Sequence, residues 1–182
     1  LGDTAVASVA LANQIFFLLN LFLFGANSGM AIFTAQFWGK GDEKNIRRVL
    51  GMAIVFSMLL TAGFFIASFF FPQRIIGLYS HDPEVIRVGS EYLRLFGWSF
   101  PFFAIGFCYS LILRTVGQVR LPLVVSVFAL SLNALLSYSL IFGVFGLPPM
   151  GVKGAALAIV ISRILECLVL LWLTYRLRTP LA

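Results

Sequence analysis

The sequence predicts an all-α membrane protein, a polytopic helical bundle with five transmembrane helices. Of the 182 residues, 60% are hydrophobic and 11% are charged, and the mean hydropathy is +1.00. A water-soluble domain of this size would need many more polar residues to cover its surface. The sequence also contains five apolar runs of about 20 residues or more, the length that crosses a hydrocarbon core of about 30 Å.

The five predicted spans are separated by short polar loops. They are expected at about residues 5–37, 49–71, 84–113, 122–142 and 152–175. The first span is longer than one crossing requires, so tilt or a break is expected within it. Its Gly25 and Gly29 have a spacing that favours close approach of a neighbouring helix over a hinge.

Two further spans carry residues that predict their local structure. The second span is mostly Phe, Leu, Ile and Ala, and its Ser57 and Thr61 can bond to the preceding helical turn. It is therefore expected to face lipid. In the third span, Pro101 removes one backbone hydrogen bond, which predicts a kink near residues 97–101.

Polar side chains within the spans form two sets. Along the first helix they recur every seven residues, at Asn13, Asn20, Asn27 and Thr34. This stripe is either a hydrogen-bonded seam between helices or the wall of a wet cavity. In the fourth span, Ser126, Asn133 and Ser137 share one helical face, which predicts a water-accessible pocket there.

The basic residues predict the orientation of the chain. Eight of them share one side, at Lys40, Lys44, Arg47, Arg48, Arg114, Arg120, Arg176 and Arg178, and four lie on the other, at Arg74, Arg87, Arg94 and Lys153. Since Lys and Arg stay on the cytoplasmic side during insertion, the first residue is expected outside and the C-terminus in the cytoplasm. These residues sit at loop ends and form no continuous face, so no nucleic-acid partner is predicted.

A charged pair is expected inside the fifth span. Glu166 is the acid that falls within an apolar run, and Arg163 lies three residues earlier on the same helical side. A structural ion pair is favoured over a cation-coupling site, because the adjacent cation disfavours proton uptake. No catalytic, metal-binding or phosphate-binding pattern occurs, so the sequence predicts neither an enzyme nor a cofactor.

Five local patterns together resemble one transporter family, the multidrug and toxic compound extrusion (MATE) family. In chain order they are LGDTAVASVALA, AQFWGKGDEKNIRRV, LRTVGQVRLP, LNALLSYSLIFG and GVKGAALAIVISRILE. The resemblance implies twelve helices in two six-helix lobes and exchange of a cation for an organic substrate by alternating access. Residues 1–182 would then be a partial N-terminal lobe, helices two to six, of a longer protein.

The resemblance also implies a site. Tyr92 in EYLR and Asn133 in LNALL match positions that line the N-lobe cation and substrate cavity in one branch of the family. The acidic residue that this branch carries four positions later is Ser137 here, and a Thr common in the family is Ile159. The expected cavity residues are Tyr92, Asn133, Ser137, Ser126 and Asn27, beside the Arg163–Glu166 pair.

The function expected from this resemblance is secondary active export of multiple drugs or organic cations. The coupling ion would be Na⁺ or H⁺, and the partners would be membrane lipid, a small organic cation and the remaining helices of the full-length protein. The expected location is the bacterial inner (plasma) membrane. The alternative is a truncated, non-transporting membrane scaffold or a lobe of a related lipid-linked oligosaccharide flippase.

Overall fold

Seven α-helices account for most of residues 3–143, 149–177 and 179–181, which are the part of the chain described by this computed structural model. They are α1 (Asp3–Gly39), α2 (Glu43–Phe70), α3 (Pro72–Gly77), α4 (Pro83–Gly97), α5 (Phe100–Thr115), α6 (Arg120–Phe142) and α7 (Gly151–Arg176). Arg178, one of the residues used to predict orientation, lies outside the described residues.

The helices provide up to five membrane spans. Four of them, α1, α2, α6 and α7, are each long and apolar enough to cross a bilayer. The fifth span is the pair α4 and α5, bent by 50° at Trp98 and Ser99. Pro101 cannot donate to the carbonyl of Gly97, so the helix stops and restarts there. The predicted all-α membrane fold and the predicted kink are both confirmed.

The turn between α1 and α2 is defined by local hydrogen bonds. Gly41 adopts a φ of 68°, a conformation that favours glycine. Asp42 then caps α2, accepting from the backbone N–H of Asn45 at 3.1 Å and from its Nδ2 at 2.6 Å. The basic loop therefore holds a tight, capped geometry that directs Lys44 and the following arginines along the first turns of α2.

Two apolar clusters hold the helices together. One joins α2, α5 and α7 and includes Leu50, Ile112 and Leu170. The other joins α1, α4, α5 and α7 and is rich in aromatic rings, with Phe16 lying 5.3 Å from Phe96 between ring centres. Both α5 and α7 contribute residues to each cluster, so these two helices link the two parts of the core.

The first helix differs from the prediction at its glycines. It is continuous over its 37 residues, so no break interrupts it. A side-chain carbon added at Gly25 or Gly29 would meet no neighbouring atom within 4 Å. The expected close helix approach at these glycines is therefore wrong, because the neighbouring helices pack on other faces of α1.

The second helix also differs from its predicted role. One face of α2 is buried and carries Val49, Ala53, Ser57 and Thr61. Ser57 bonds across to α1, and Thr61 Oγ1 has no hydrogen-bond partner among the described atoms. A wholly lipid-facing α2 is therefore wrong, because this face packs between α1 and α5.

Among the glycines that the structure describes, Gly154 makes the closest helix contact, between α6 and α7, and this contact provides a test of the fold. A methyl group at Gly154 would lie 2.6 Å from the backbone oxygen of Leu140. We expect Gly154→Ala to destabilise the protein by about 1–3 kcal/mol, since backbone atoms must move apart. Thermal unfolding in detergent measures this change. Gly63→Ala in α2 is the matched control, because the added carbon meets nothing within 4 Å, and equal unfolding temperatures for both variants would contradict the packing.

Candidate functional site

A charged cluster lies at the centre of α7. Arg163 Nη1 is 2.6 Å from Glu166 Oε2, and Ser126 Oγ donates to Glu166 Oε1 at 3.1 Å. The guanidinium carbon of Arg163 lies 5.0 Å from the centre of the Phe103 ring. Both carboxylate oxygens of Glu166 therefore have donors, and the cation also contacts an aromatic face.

Three helices build this cluster. Arg163 and Glu166 are three residues apart on α7 and so share one side of that helix. Ser126 comes from α6, whose main packing partner is α7, while Phe103 follows the kink at the start of α5. The bend between α4 and α5 thus positions the ring against the guanidinium.

A cavity of about 410 Å³ borders one side of the cluster. It lies between α1, α6 and α7, with Phe96 of α4 in its wall. Its polar lining residues are Asn13, Ser126, Asn133, Ser162, Arg163 and Glu166, and its apolar lining residues are Phe16, Phe96, Ala129, Leu130 and Ile159. The steps of three and four residues from Ser126 to Asn133 place one face of α6 along this cavity.

A second cavity of about 230 Å³ shares Ser126, Arg163 and Glu166 with the first. Its other lining residues come largely from α5 and include Phe103, and Arg114 is also in its wall. The charged cluster therefore stands between two cavities, with the side chains of Arg163 and Glu166 34% and 16% exposed.

Three of the predicted cavity residues lie elsewhere. Asn27 is 2% exposed and donates from Nδ2 to Ser57 Oγ at 2.9 Å, while Tyr92 is 1% exposed and packs against Phe96 in the aromatic cluster. Ser137 is half-buried on α6, but neither of the two cavities is lined by it. The burial of Asn27 and Tyr92 between helices is what separates them from the cavities.

The polar stripe of α1 takes both forms that the sequence left open. Around Asn27 it is a dry seam, where Cys108 Sγ lies 3.2 Å from Asn27 Oδ1 and 3.3 Å from Ser57 Oγ. At Asn13, two turns from the middle of α1, it borders the larger cavity. Asn13 and Asn27 therefore have different surroundings, because α1 packs against different helices along its length.

Sequence reasoning missed two residues that shape the site. Ser162 lines the larger cavity and lies four residues before Glu166, a spacing that could have placed it on the same face of α7. Phe103 contacts Arg163, yet among so many phenylalanines no sequence feature singles it out. Its role depends on the packing of α5 against α7.

The charges of the larger cavity compensate each other. Arg163 and Glu166 are the charged residues in its lining, so their formal charges sum to zero. Among the described residues, no group of three or more His, Cys, Asp or Glu side chains could hold a metal ion. The arrangement can therefore receive a polar or aromatic molecule through amides, hydroxyls and ring faces.

The chain is similar to multidrug resistance proteins of bacteria. It is 33% identical over 181 residues to "Probable multidrug resistance protein YoeA" of Bacillus subtilis, an alignment that covers 100% of this chain and 39% of that protein. It is 31% identical over 173 residues to "Probable multidrug resistance protein NorM" of Thermotoga maritima, covering 94% of this chain and 37% of that protein. The chain thus spans less than two fifths of the length of either relative.

A solved structure and a family model agree with these similarities. The structure described as "Crystal structure of MATE in the bent conformation" matches with a TM-score of 0.88 at 20% identity, over 98% of this chain and 39% of that chain. This likeness concerns the fold, that of one transporter lobe. The family model MatE matches residues 1–139. Because that match covers more than half of the sequence, the chain belongs to the MATE family, whose members are membrane transporters and not enzymes.

Proposed function

We propose that this chain is part of the N-terminal lobe, helices two to six, of a secondary active exporter of drug-like organic molecules, driven by Na⁺ or H⁺. The observation that carries the proposal is the cavity of about 410 Å³ within the bundle, lined by amides, hydroxyls and two aromatic rings. Polar groups facing a cavity in a membrane protein are typical of a substrate or ion path. Family membership and the multidrug resistance relatives support the same conclusion.

The substrate would be held by ring faces and amides. Phe16 offers an aromatic surface to a flat organic cation, and Asn13 and Asn133 offer carbonyl oxygens. The one acid in the cavity lining, Glu166, is already neutralised by Arg163 at 2.6 Å. Binding of a cation would therefore depend on aromatic and amide contacts more than on an unpaired carboxylate.

We assign the Arg163–Glu166 pair a structural role ahead of a coupling role. Both oxygens of Glu166 are engaged, and separating the pair would leave a guanidinium unpaired near the centre of a span. Charges within a bilayer persist when they are paired or when they serve transport. Because Arg163 and Glu166 are paired with each other, the geometry favours the structural role over the transport role.

The chain would work together with further helices. Alternating access in secondary transporters generally uses two structural units that rock about a central site. The cavity described here is bordered by α1, α4, α6 and α7 of one lobe. A second lobe would complete the transport path. The bacterial relatives support a location in the inner membrane.

The first prediction concerns orientation. Single cysteines replacing Lys44 or Gln118 should be shielded from an impermeant thiol reagent in whole cells, whereas cysteines replacing Gln73 or Lys153 should be labelled. The reason is the excess of basic residues on the side of Lys44. All four positions are exposed on the protein surface, so shielding by the fold does not confuse the result. Labelling of Lys44→Cys from outside would show that the chain has the opposite orientation to the one proposed.

The second prediction concerns activity. The 182-residue chain expressed alone should insert into the membrane and confer no efflux of a fluorescent organic cation. A longer reading frame that adds a preceding helix and a second six-helix lobe should confer efflux, because two units are needed for alternating access. Efflux by the chain alone would contradict this requirement. A longer protein that is well expressed but inactive would instead support the scaffold alternative.

The third prediction separates the two roles of Glu166. In the longer transporter, Glu166→Gln should lower the membrane protein level, since it leaves Arg163 without its anion. We expect a cost of about 1–3 kcal/mol, below the about 3–5 kcal/mol of a fully buried pair, because both side chains are partly exposed. Adding Arg163→Met should restore the level, as no unpaired charge remains.

The matched control is the Lys153–Glu91 pair, which joins α7 to α4 at 3.2 Å with side chains 55% and 44% exposed. Glu91→Gln should change the protein level little, because water solvates both groups. Protein level by immunoblot and efflux per molecule are the two measurements. Normal expression of Glu166→Gln with abolished efflux would make Glu166 the coupling residue.

A further inference from the structure

A groove runs along the outer face of α2, away from both cavities. The groove is shallow and open, and Met30 of α1 forms part of its wall. The remaining lining residues follow one helical stripe at steps of three and four: Arg48, Gly51, Met52, Val55, Phe56 and Leu59. Residues at these steps lie on one side of a helix, so the groove follows the axis of α2.

The groove is apolar along its length and open at its surface. Met52, Val55, Phe56 and Leu59 are each more than half exposed. Gly51 has no side chain, and a carbon added there would meet no atom within 4 Å. The floor at Gly51 therefore provides room for a ligand chain lying against the helix.

Positive charge is concentrated at one end. Arg48 is the charged residue in the groove lining, and Lys44 lies one turn before it on the same stripe. Within the described residues, neither side chain has a carboxylate within 4.0 Å. Arg48 Nη1 donates only to the neutral amide oxygen of Asn45, at 3.2 Å.

The nearby acids are engaged by other residues. Asp42 caps α2 through Asn45, and Glu43 lies 3.6 Å from Arg47. Arg47 also donates to the backbone oxygen of Pro180 at 3.3 Å, which directs it away from the groove. The two cations at the groove end, Arg48 and Lys44, are therefore available to an anion from outside the chain.

The length of the groove indicates what kind of anion fits. Arg48 and Leu59 are eleven residues apart, which is about 16 Å along a helix. Half of a hydrocarbon core is about 15 Å thick. With Arg48 at the level of the lipid headgroups, the groove would reach about the middle of the bilayer, the depth of one leaflet.

We propose that this groove binds an anionic phospholipid, with the phosphate on Arg48 and Lys44 and one acyl chain along Gly51, Val55 and Leu59. The headgroup satisfies the two uncompensated cations, and the chain covers the exposed apolar stripe. A helix of the same protein or of a second copy would cover the stripe but would leave the two cations without an anion unless it also brought an acid to Arg48. The combination of charge and leaflet-long apolar surface favours the lipid.

The charge arm of the test compares two adjacent arginines. The purified protein in detergent is mixed with equal amounts of phosphatidylglycerol and phosphatidylcholine, and native mass spectrometry counts the retained lipids. The unchanged protein should retain phosphatidylglycerol preferentially. Arg48→Gln should reduce that preference about fivefold, the effect of one basic residue near an anionic lipid. Arg47→Gln should leave it unchanged, since Arg47 is bound to Glu43 and Pro180.

The steric arm uses two glycines of α2. Gly51→Leu should fill the groove and reduce retained phosphatidylglycerol although Arg48 is still present. Gly63→Leu is the matched control, because Gly63 is equally open but lies outside the groove lining. Unfolding temperatures of both variants should match that of the unchanged protein.

Three results would overturn the proposal. Equal retention of the two lipids would indicate boundary lipid without a site. An unchanged preference for phosphatidylglycerol in Arg48→Gln would show that Arg48 does not bind the lipid headgroup. Loss of an oligomer, or a lower unfolding temperature, in Gly51→Leu but not in Gly63→Leu would show that a second copy or another helix occupies the groove.

Discussion

The requirement that polar groups find partners in hydrocarbon organises this bundle. An unsatisfied amide or charge within the bilayer costs several kcal/mol, so each must face another polar group or a cavity. Two three-helix clusters meet this requirement. One joins α1, α2 and α5 through Asn27, Ser57 and Cys108, and the other joins α5, α6 and α7 around Arg163 and Glu166. Helix α5 takes part in both, through Cys108 in the first and Phe103 in the second.

The bend before α5 connects backbone structure to the site. Phe96 on α4 and Phe103 on α5 lie on either side of the bend, and both rings pack against Phe16, at 5.3 and 4.7 Å between ring centres. Phe96 lines the larger cavity, while Phe103 lies over the guanidinium of Arg163. The two segments joined by the bend thus supply part of the apolar wall of the cavity and the aromatic contact of Arg163.

The interior of the protein and the exposed end of α2 differ in whether their cations are paired with a carboxylate. Inside, Arg163 is matched by Glu166, and the cavity has no net charge. At the end of α2, Arg48 and Lys44 have no carboxylate partner within the described structure. Charge is therefore compensated where solvent and lipid headgroups are distant and left uncompensated where they are near. This is the distribution that desolvation energies favour, since an exposed cation retains its hydration.

The sequence by itself determined the class of fold and the kink. Apolar runs of bilayer length and a proline within one of them carry this information locally. The resemblance to MATE transporters was equally visible in consecutive motifs, and the family match confirms it. Periodicity also placed Ser126 and Asn133 on one face of α6, where both line the larger cavity.

Only the tertiary structure decided which polar residues meet water and which meet each other. Asn13 and Asn27 occupy the same stripe of α1, yet one borders a cavity and the other is sealed against Ser57. The glycines of α1 remain open, whereas Gly154 receives the backbone of Leu140. Helical spacing specifies the side of a helix on which a residue lies. What lies opposite that side depends on how the helices pack, which is set by contacts between residues far apart in the chain.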